Sequence, residues 1–279
     1  MSRNKDRLGG HKPEHSDAPV AQFNPLNFVT PTEFVELPSA GLGYPETHPL
    51  HNKETIEIKF MTAKDEDILT SQALLKKGLA IDRFLQNIMV DKTIIIDSLL
   101  VGDKNAILIA ARGSGYGYDY EGIVTCMECG TKNRVEFDLR NTNVVGNSNI
   151  DASLATFDSP GVYATQMPFS KFNIKYRLMN GADENLMAKE VSKAPEDREH
   201  NLLTSQFKRL IVSIEGHDEQ EIIDQYVDNM PTVDSRHLKI CIKATTPNVE
   251  VKETMTCKKC GTQKEVDVPY GTNFFWPDF

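Results

Sequence analysis

Two Cys-x-x-Cys-Gly motifs, far apart in the chain, constrain its fold more than any other feature. The first knuckle runs Thr125-Cys126-Met127-Glu128-Cys129-Gly130-Thr131, and the second runs Thr256-Cys257-Lys258-Lys259-Cys260-Gly261-Thr262. A Cys-x-x-Cys turn points both sulfurs at one ion, and the glycine permits a left-handed backbone conformation at the end of the turn. Together the two knuckles offer four thiolates, the full ligand set of a tetrahedral structural zinc site.

The predicted ligands are Cys126, Cys129, Cys257 and Cys260, and they would hold one Zn²⁺ with no open coordination position. Such a site stabilises a fold and does not activate water. The main alternatives are two disulfides or free buried thiols, but the 279 residues hold only 5 cysteines and no secretory signal is visible. A redox pair would need one motif at a strand-to-helix junction, whereas a strand-like stretch follows each knuckle.

Alternating apolar and polar residues flank both knuckles. Residues 120–124 and 134–139 surround the first, and residues 249–255 and 265–268 surround the second. This period of two predicts a strand on each side of each knuckle, which is the hairpin arrangement of a zinc ribbon. Because roughly 125 residues separate the two halves, we predict a zinc ribbon that is split by a large insertion.

The chain as a whole is predicted to be an α+β protein with a split zinc ribbon (two β-hairpin knuckles), a helical N-terminal part and an α/β insertion. Residues 1–24 mix basic residues with glycine and proline without periodicity, which predicts a flexible N-terminal arm. Residues 25–140 together with 245–279 form the predicted helical and β domain that carries the ribbon. Residues 141–244, between the knuckles, form the predicted α/β insertion, since both strand and helix periodicities occur there.

Three helices are predicted before the first knuckle. The first begins at Thr62, a good N-cap followed by acidic residues that suit the positive end of a helix dipole, and it ends near Lys77. A metal or catalytic site is the alternative explanation of these acidic residues, and capping explains them more simply. The second helix spans residues 81–89. The third spans residues 103–112 and stops at Gly113, before a turn rich in glycine and tyrosine.

Aromatic residues gather at two places that we assign as candidate partner-binding sites. Tyr116 and Tyr118 lie in the predicted turn before the first ribbon strand, which is either an ordinary turn or a contact surface for a protein partner, since tyrosine is favoured at interfaces. Phe274, Phe275 and Trp276 lie near the C-terminus. That tail either folds back and seals the core or serves as an aromatic anchor for a neighbouring subunit.

Charge and motifs narrow the possible functions. The formal net charge is −9 at pH 7, which argues against nucleic acid as the main partner because phosphate binding requires a basic patch. The second knuckle carries a small basic spot, which a solvated face explains most simply. No apolar run is long enough to span a bilayer, so no membrane partner is predicted. No nucleophile elbow, His-Glu-x-x-His motif or phosphate loop is present, and no catalytic residue is predicted.

Five segments are distinctive as sequences: FVELPSAGLGYP (34–45), IEIKFMTAKDEDILTSQALLKKG (56–78), DSLLVGDKNAILIAAR (97–112), CMEC (126–129) and CKKCGTQKEVDVPYGTNFFWP (257–277). They resemble baseplate hub proteins of T4-like contractile-tailed bacteriophages, over most of residues 28–140 and over 245–279. The resemblance implies a non-enzymatic structural or assembly component at or near the hub, located in the virion tail and, during assembly, in the host cytoplasm. It implies partners among hub, spike or tube, and wedge proteins, and several copies in a symmetric assembly. It supplies no catalytic residues, and the zinc ligands follow from spacing alone.

Two other functions remain open from the sequence. A nucleic-acid-binding zinc-ribbon protein, such as a phage transcription or replication factor, would bind DNA with a strong dependence on salt. The net acidity counts against it, as does Glu128 between the cysteines of the first knuckle. A metal-dependent enzyme within the insertion would need a second, open metal site.

Overall fold

The computed structural model describes residues 30–146, 151–193, 202–269 and 274–275. Contacts divide the chain into two units, Met1–Thr30 and Pro31–Phe279, and the fold presented below is that of the second unit. The predicted N-terminal arm, residues 1–24, lies outside the described residues. Helices and small antiparallel sheets follow one another along the chain, so the fold is of mixed α and β type.

The first elements form a β-hairpin. Strands β1 (Thr32–Glu36) and β2 (Thr55–Lys59) pair in antiparallel fashion. Their side chains alternate, and Ile56 and Ile58 are buried in the core while Phe34 is 70% exposed. The hairpin therefore packs on one face and leaves the other open, as antiparallel strands often do.

Short helices follow, with the bounds Ala63–Thr70 (α1), Gln72–Lys76 (α2), Ala80–Ile88 (α3) and Ile96–Ser98, the last a 3-10 helix. Thr62 occupies the N-cap position of α1 as predicted, in a capping box with Asp65, whose Oδ2 accepts from the backbone N–H and the hydroxyl of Thr62 at 2.9 and 2.7 Å. The other oxygen of Asp65 accepts from Asn87 Nδ2 of α3 at 2.6 Å, so this acid serves both the helix cap and the contact between α1 and α3. The prediction of one continuous helix to Lys77 is wrong, because Ser71 adopts an extended conformation and separates α1 from α2.

Helix α4 (Val101–Tyr116) is buried along most of its length. The predicted stop at Gly113 is wrong, since the helix continues to Tyr116 and ends at Gly117, whose φ is 85°. Packing explains the glycine inside the helix: a Cβ at Gly113 would lie 2.3 Å from the ring of Tyr118. The glycine thus permits a close approach and does not end the helix.

The first knuckle lies in a β-hairpin, as predicted. Strands β3 (Asp119–Thr125) and β4 (Lys132–Asp138) pair over their full length. In β4 the inward positions are Asn133, Val135 and Phe137, all of which are buried. The knuckle turn joins the two strands.

The region between the knuckles contains, in chain order, β5 (Asn143–Val145), β6 (Thr156–Ser159), β7 (Val162–Gln166), β8 (Asn173–Arg177), α5 (Gly181–Lys193), α6 (Leu202–Leu210), β9 (Ile211–Ile214), α7 (Gln220–Asp228), α8 (Thr232–Thr245) and β10 (Asn248–Glu250). Strands β6, β7, β8 and β9 form a four-stranded antiparallel sheet in that order. Strand β10 pairs with β5, so the two ends of this region lie side by side.

The second knuckle lies in the hairpin of β11 (Lys252–Thr256) and β12 (Gln263–Asp267), again as predicted. Buried side chains from the hairpins, the helices and the four-stranded sheet belong to one hydrophobic core. Within the described ranges, no helix combines the length and apolar character that crossing a membrane requires. The division into a domain of residues 25–140 with 245–279 and an insertion of residues 141–244 remains a prediction.

Candidate metal centre

The turns of the two knuckle hairpins meet and bring four sulfur atoms together. The Sγ atoms of Cys126, Cys129, Cys257 and Cys260 all lie within 4.8 Å of one another. Across the hairpins, Cys126 Sγ lies 3.7 Å from Cys260 Sγ, and Cys129 Sγ lies 3.6 Å from Cys257 Sγ. Among the described residues, this is the only group of three or more potential ligands of the His, Cys, Asp and Glu type that is arranged to hold an ion.

Backbone hydrogen bonds set the shape of the first knuckle. The N–H of Cys126 donates to the carbonyl of Thr131, and the N–H of Gly130 donates to the carbonyl of Cys126, both at 2.9 Å. Gly130 has a φ of 67°, the left-handed conformation that the sequence pattern predicts for it. The two bonds close the turn, so both cysteine side chains lie on the same side of it.

The second knuckle repeats this geometry with its own residues. The N–H of Cys257 donates to the carbonyl of Thr262, and the N–H of Gly261 donates to the carbonyl of Cys257, again at 2.9 Å. The φ of Gly261 is 71°. The shared Thr-Cys-x-x-Cys-Gly-Thr pattern therefore produces two equivalent turns that face each other.

The sulfur arrangement fits a tetrahedral zinc ion. A Zn–S bond of about 2.3 Å in tetrahedral geometry places neighbouring sulfurs about 3.8 Å apart. The two distances across the hairpins, 3.7 and 3.6 Å, match this value. All four ligands are then protein sulfurs, and such a closed site serves structure. Cys126 and Cys257 are buried while Cys260 is exposed, so the cluster borders solvent on one side.

The electrostatics of the cluster favour a bound cation. The backbone N–H groups of Cys260 and Lys259 point at the sulfur of Cys257 and lower the pKa of that thiol to about 6. In the first knuckle, the N–H groups of Cys129 and Glu128 act in the same direction on Cys126. There, desolvation and the adjacent sulfurs outweigh them and raise the pKa of Cys126 to about 11. Four sulfurs at such distances do not all ionise without a compensating positive charge, which a divalent metal supplies.

Sequence reasoning missed Asn133, which joins the two knuckles. Its side-chain amide donates to the carbonyl of Thr131 at 2.9 Å and lies 3.6 Å from the sulfur of Cys257. Its carbonyl oxygen accepts from the backbone N–H of Lys258 at 2.9 Å. A usable signal existed in the sequence, because Asn133 occupies an inward position in a strand whose other inward residues are apolar.

The two candidate tyrosines lie at the end of α4 and just beyond it. The hydroxyl of Tyr116 donates to Glu66 Oε1 at 3.0 Å, and its ring lies 5.3 Å from the guanidinium carbon of Arg112. Tyr118 is 38% exposed and packs its ring against Gly113. Tyr118 is therefore the more accessible of the two, and the assignment of both to a partner surface remains a prediction.

The two candidate phenylalanines of the C-terminal tail are buried in the core. Phe274 and Phe275 are each 1% exposed, and their rings meet Tyr120 and Phe84 edge to face, with centroids 5.0 Å apart in both pairs. This packing supports the alternative in which the tail seals the core. Trp276 lies outside the described residues, and a role in partner binding remains a prediction for all three tail residues.

The fifth cysteine is separate from the cluster. Cys241 is buried in α8, and its thiol donates to the carbonyl of Leu154 at 3.2 Å. The hydroxyl of Thr165 and the Nε2 atom of His237 lie 3.6 and 3.3 Å from its sulfur. Cys241 is thus a packed core residue, and burial raises the pKa of its thiol.

Comparison with known proteins identifies the family. Residues 43–276, which include both knuckles, match a family model described as T4 bacteriophage base plate protein. No curated protein and no solved structure matches the chain. Because the match spans most of the 279 residues, the chain belongs to the family of T4 bacteriophage base plate proteins.

Proposed function

We propose that this protein is a non-enzymatic structural or assembly component of the hub region of the baseplate, stapled by one Zn²⁺ in a split zinc ribbon. The family match makes it a baseplate component of the phage tail that associates with other baseplate proteins. The proposal adds that it docks hub, spike or tube, and wedge proteins, in several copies within a symmetric assembly. The resemblance of the segment around residues 56–78 to hub proteins supports this finer position.

The clustering of the four cysteines is the single observation on which the proposed zinc cross-link rests. They come from hairpins that are far apart in sequence, with Cys129 and Cys257 separated by 128 positions. A metal that joins these hairpins closes a very long loop, which restricts the unfolded chain strongly. In the proposed site Zn²⁺ supplies cross-linking and charge compensation only, because the four cysteines leave no coordination position for water or substrate.

The proposed division of the chain receives support from the pairing of β5 with β10. These strands pair at Val144 and Val249, on the two sides of the region between the knuckles. An inserted region must leave and re-enter its host domain at neighbouring points, and this pairing supplies such a point. We therefore propose residues 25–140 with 245–279 as the ribbon domain and residues 141–244 as the insertion.

We propose that the protein has no enzymatic activity, because most of the charged side chains in its cleft form ion pairs with one another. A cleft of about 690 Å³ lies among α5, α6 and α7, and six of its charged lining residues form three ion pairs, while Asp224 accepts from Gln220 Nε2 at 2.8 Å. The pairs are Arg177–Asp183, Lys208–Asp228 and Arg209–Glu190. Charges that neutralise each other in this way are typical of structural contacts. Hydrogen bonds from Ser205 and Arg209 lower the pKa of Glu190, as expected of an ion-pair partner and not of a general acid.

The proposed partner-binding residues are Tyr116 and Tyr118, together with Phe274, Phe275 and Trp276 of the tail. Tyr118 is 38% exposed, so a partner reaches its side chain without rearrangement of the protein. A Tyr118→Ala variant tests the surface, and Tyr163→Ala, on a distant buried ring, reports instead on folding.

Native mass spectrometry of the full-length protein, alone and with hub and wedge subunits, tests the proposal. We expect one zinc per chain and a defined complex that Tyr118→Ala weakens. A protein without metal would overturn the zinc ribbon. A protein with one zinc but no affinity for any baseplate subunit would overturn the docking role, and tight, salt-sensitive DNA binding in that case would favour the nucleic-acid-binding alternative.

A further inference from the structure

Asn133 is the one side chain, apart from the cysteines, that joins both knuckles by hydrogen bonds in the described part of the chain. It is 2% exposed and lies in β4, two residues beyond the first knuckle. We infer that Asn133 positions the ligands of the second knuckle against those of the first and thereby sets the metal affinity of the cluster. This inference rests on the proposed function, in which the four sulfurs bind zinc.

Both ends of the amide are used. The NH₂ group donates to the carbonyl of Thr131 and lies 3.6 Å from the sulfur of Cys257. When that sulfur is a thiolate, the NH₂ group donates a hydrogen bond to it. The oxygen accepts from the N–H of Lys258, the residue that follows this cysteine. Asn133 therefore holds both the sulfur and the adjacent backbone of one ligand relative to the opposite hairpin.

The chemistry of the position requires an amide. Asparagine offers donors and an acceptor on one short side chain, and it is neutral. A carboxylate of the same shape would accept from Lys258 but could not donate to the sulfur, and it would add negative charge beside four thiolates. A lysine or arginine would lack the acceptor.

The two knuckles differ at this point although their turns are equivalent. Asn133 follows Cys126 by seven positions, and the residue seven positions after Cys257 is Lys264, which is exposed. The cluster thus receives a buried amide from the first hairpin alone. This asymmetry provides a matched control, since Lys264→Ala changes the corresponding position of the other hairpin without touching the bridge.

Metal ligands generally depend on the groups that hydrogen-bond to them, and removal of such a group costs about 10–100-fold in metal affinity. We expect a loss in that range for Asn133→Ala and at least as large a loss for Asn133→Asp. Lys264→Ala should keep the wild-type affinity, because its side chain is exposed to solvent.

The test is competition for zinc between each full-length variant and a chromophoric chelator, together with the absorption spectrum of the cobalt-substituted protein. The sulfur-to-cobalt charge-transfer band should move to lower energy in Asn133→Ala, since the sulfur of Cys257 loses its donor. A purely structural role of Asn133 would leave this band unchanged. If Asn133→Ala does not fold, the isosteric Asn133→Asp variant carries the same measurements.

The outcomes separate this inference from the proposed function. If the wild-type protein binds no zinc or cobalt, the zinc ribbon itself is wrong. If the wild type binds one ion and both Asn133 variants bind it as tightly as Lys264→Ala does, with the same cobalt spectrum, the metal centre stands and the role of Asn133 is refuted.

Discussion

The guanidinium of Arg112 binds the C-terminal tail: its Nε donates to the carbonyl of Phe274 at 3.0 Å, across 162 positions of sequence. A second bond runs from Nη1 to the carbonyl of Gly117 at 2.7 Å, at the end of α4. Arg112 is 1% exposed, so these carbonyls receive their donors in the absence of competing water. One buried cation thus joins the long helix, the start of the first knuckle hairpin and the end of the chain.

Replacement of Arg112 by alanine should destabilise the protein strongly. The variant loses charged hydrogen bonds to buried carbonyls, which are left unpaired, and we expect a fall of about 2–4 kcal/mol in the free energy of unfolding. Urea denaturation measures this change in the free energy of unfolding. Arg140→Ala is the control, because Arg140 is exposed and pairs with Asp138 on the surface. Its replacement should lower the free energy of unfolding by less than ~1 kcal/mol. Equal effects of the two substitutions would contradict a stabilising role of the bonds from Arg112 to Phe274 and Gly117.

The tail phenylalanines should contribute to the stability of the isolated protein. Phe275 packs edge to face on Phe84, and its removal to alanine should cost about 3–5 kcal/mol. Phe34→Ala, which removes an exposed ring from β1, should change stability by less than ~0.5 kcal/mol. Thermal and urea unfolding of both variants provide the comparison. A Phe275→Ala variant as stable as Phe34→Ala would mean that the tail is not part of the core in solution.

Local sequence patterns predicted the elements whose structure depends on neighbouring residues. The period of two predicted both knuckle hairpins, and the Thr62 cap followed from the residue type at the start of α1. The repeated knuckle sequence predicted four clustered sulfurs, because two turns of this type supply the full ligand set of one tetrahedral ion. For the hairpins and the cap, the physical cause lies within a few residues of the pattern, whereas the sulfur cluster was predicted from the match between two distant motifs.

The features that sequence reasoning missed depend on particular side-chain contacts that a residue pattern does not reveal. Gly113 suggests a helix stop in isolation, yet the ring of Tyr118 requires a glycine there within the helix. Asn133 is one polar residue in an alternating strand, and its role follows only when Lys258 from the opposite hairpin lies beside it. The sequence left two alternatives open for the tail, and the buried position of Phe274 follows only from contacts such as the bond from Arg112.

Loss of one cysteine should abolish zinc binding at the proposed metal centre. Cys126→Ser removes a buried sulfur from the cluster, and we expect native mass spectrometry to find no stoichiometric zinc and urea to unfold the variant at a lower concentration than the wild type. Cys241→Ser is the matched control, since Cys241 packs against Leu154 far from the knuckles and should keep one zinc per chain. Intact stability with stoichiometric metal in Cys126→Ser would refute the four-cysteine site.

Asp103 should make stability depend on pH in an unusual direction. Its carboxylate accepts from the backbone N–H and hydroxyl of Ser39 and from the hydroxyl of Tyr44, at 2.9, 2.6 and 2.7 Å. Burial nevertheless raises the pKa of Asp103 above its ordinary value, although these hydrogen bonds oppose the shift. The folded protein then holds this proton at pH values where the unfolded chain has lost it. Its contribution to the unfolding free energy therefore falls as pH rises above about 4, the ordinary Asp pKa.

Urea denaturation of wild type and Asp103→Asn over a pH series tests this sign. The stability of the wild type relative to the variant should decrease as pH rises from about 4 toward the raised pKa. Asp91→Asn is the opposite control: hydrogen bonds from Thr93 lower the pKa of Asp91, so its contribution is present at neutral pH and is lost on acidification. Parallel pH dependences for the two variants would show that the burial of Asp103 does not control its titration.

Gly102 should tolerate no side chain, although alanine normally stabilises a helix. A Cβ at Gly102 would lie 1.8 Å from the backbone carbonyl oxygen of Pro247, just before β10, so the helix and that segment would have to separate. We expect Gly102→Ala to lower the free energy of unfolding by about 3 kcal/mol, at the upper end of typical overpacking.

Gly115→Ala in the same helix is the matched control. Its Cβ would meet the flexible sulfur of Met61 at 2.6 Å, which can move, and the helix propensity of alanine offsets the adjustment to within ~1 kcal/mol. Urea unfolding compares the stability of the two variants. A Gly102→Ala protein at least as stable as Gly115→Ala would show that α4 and Pro247 are not in contact in solution.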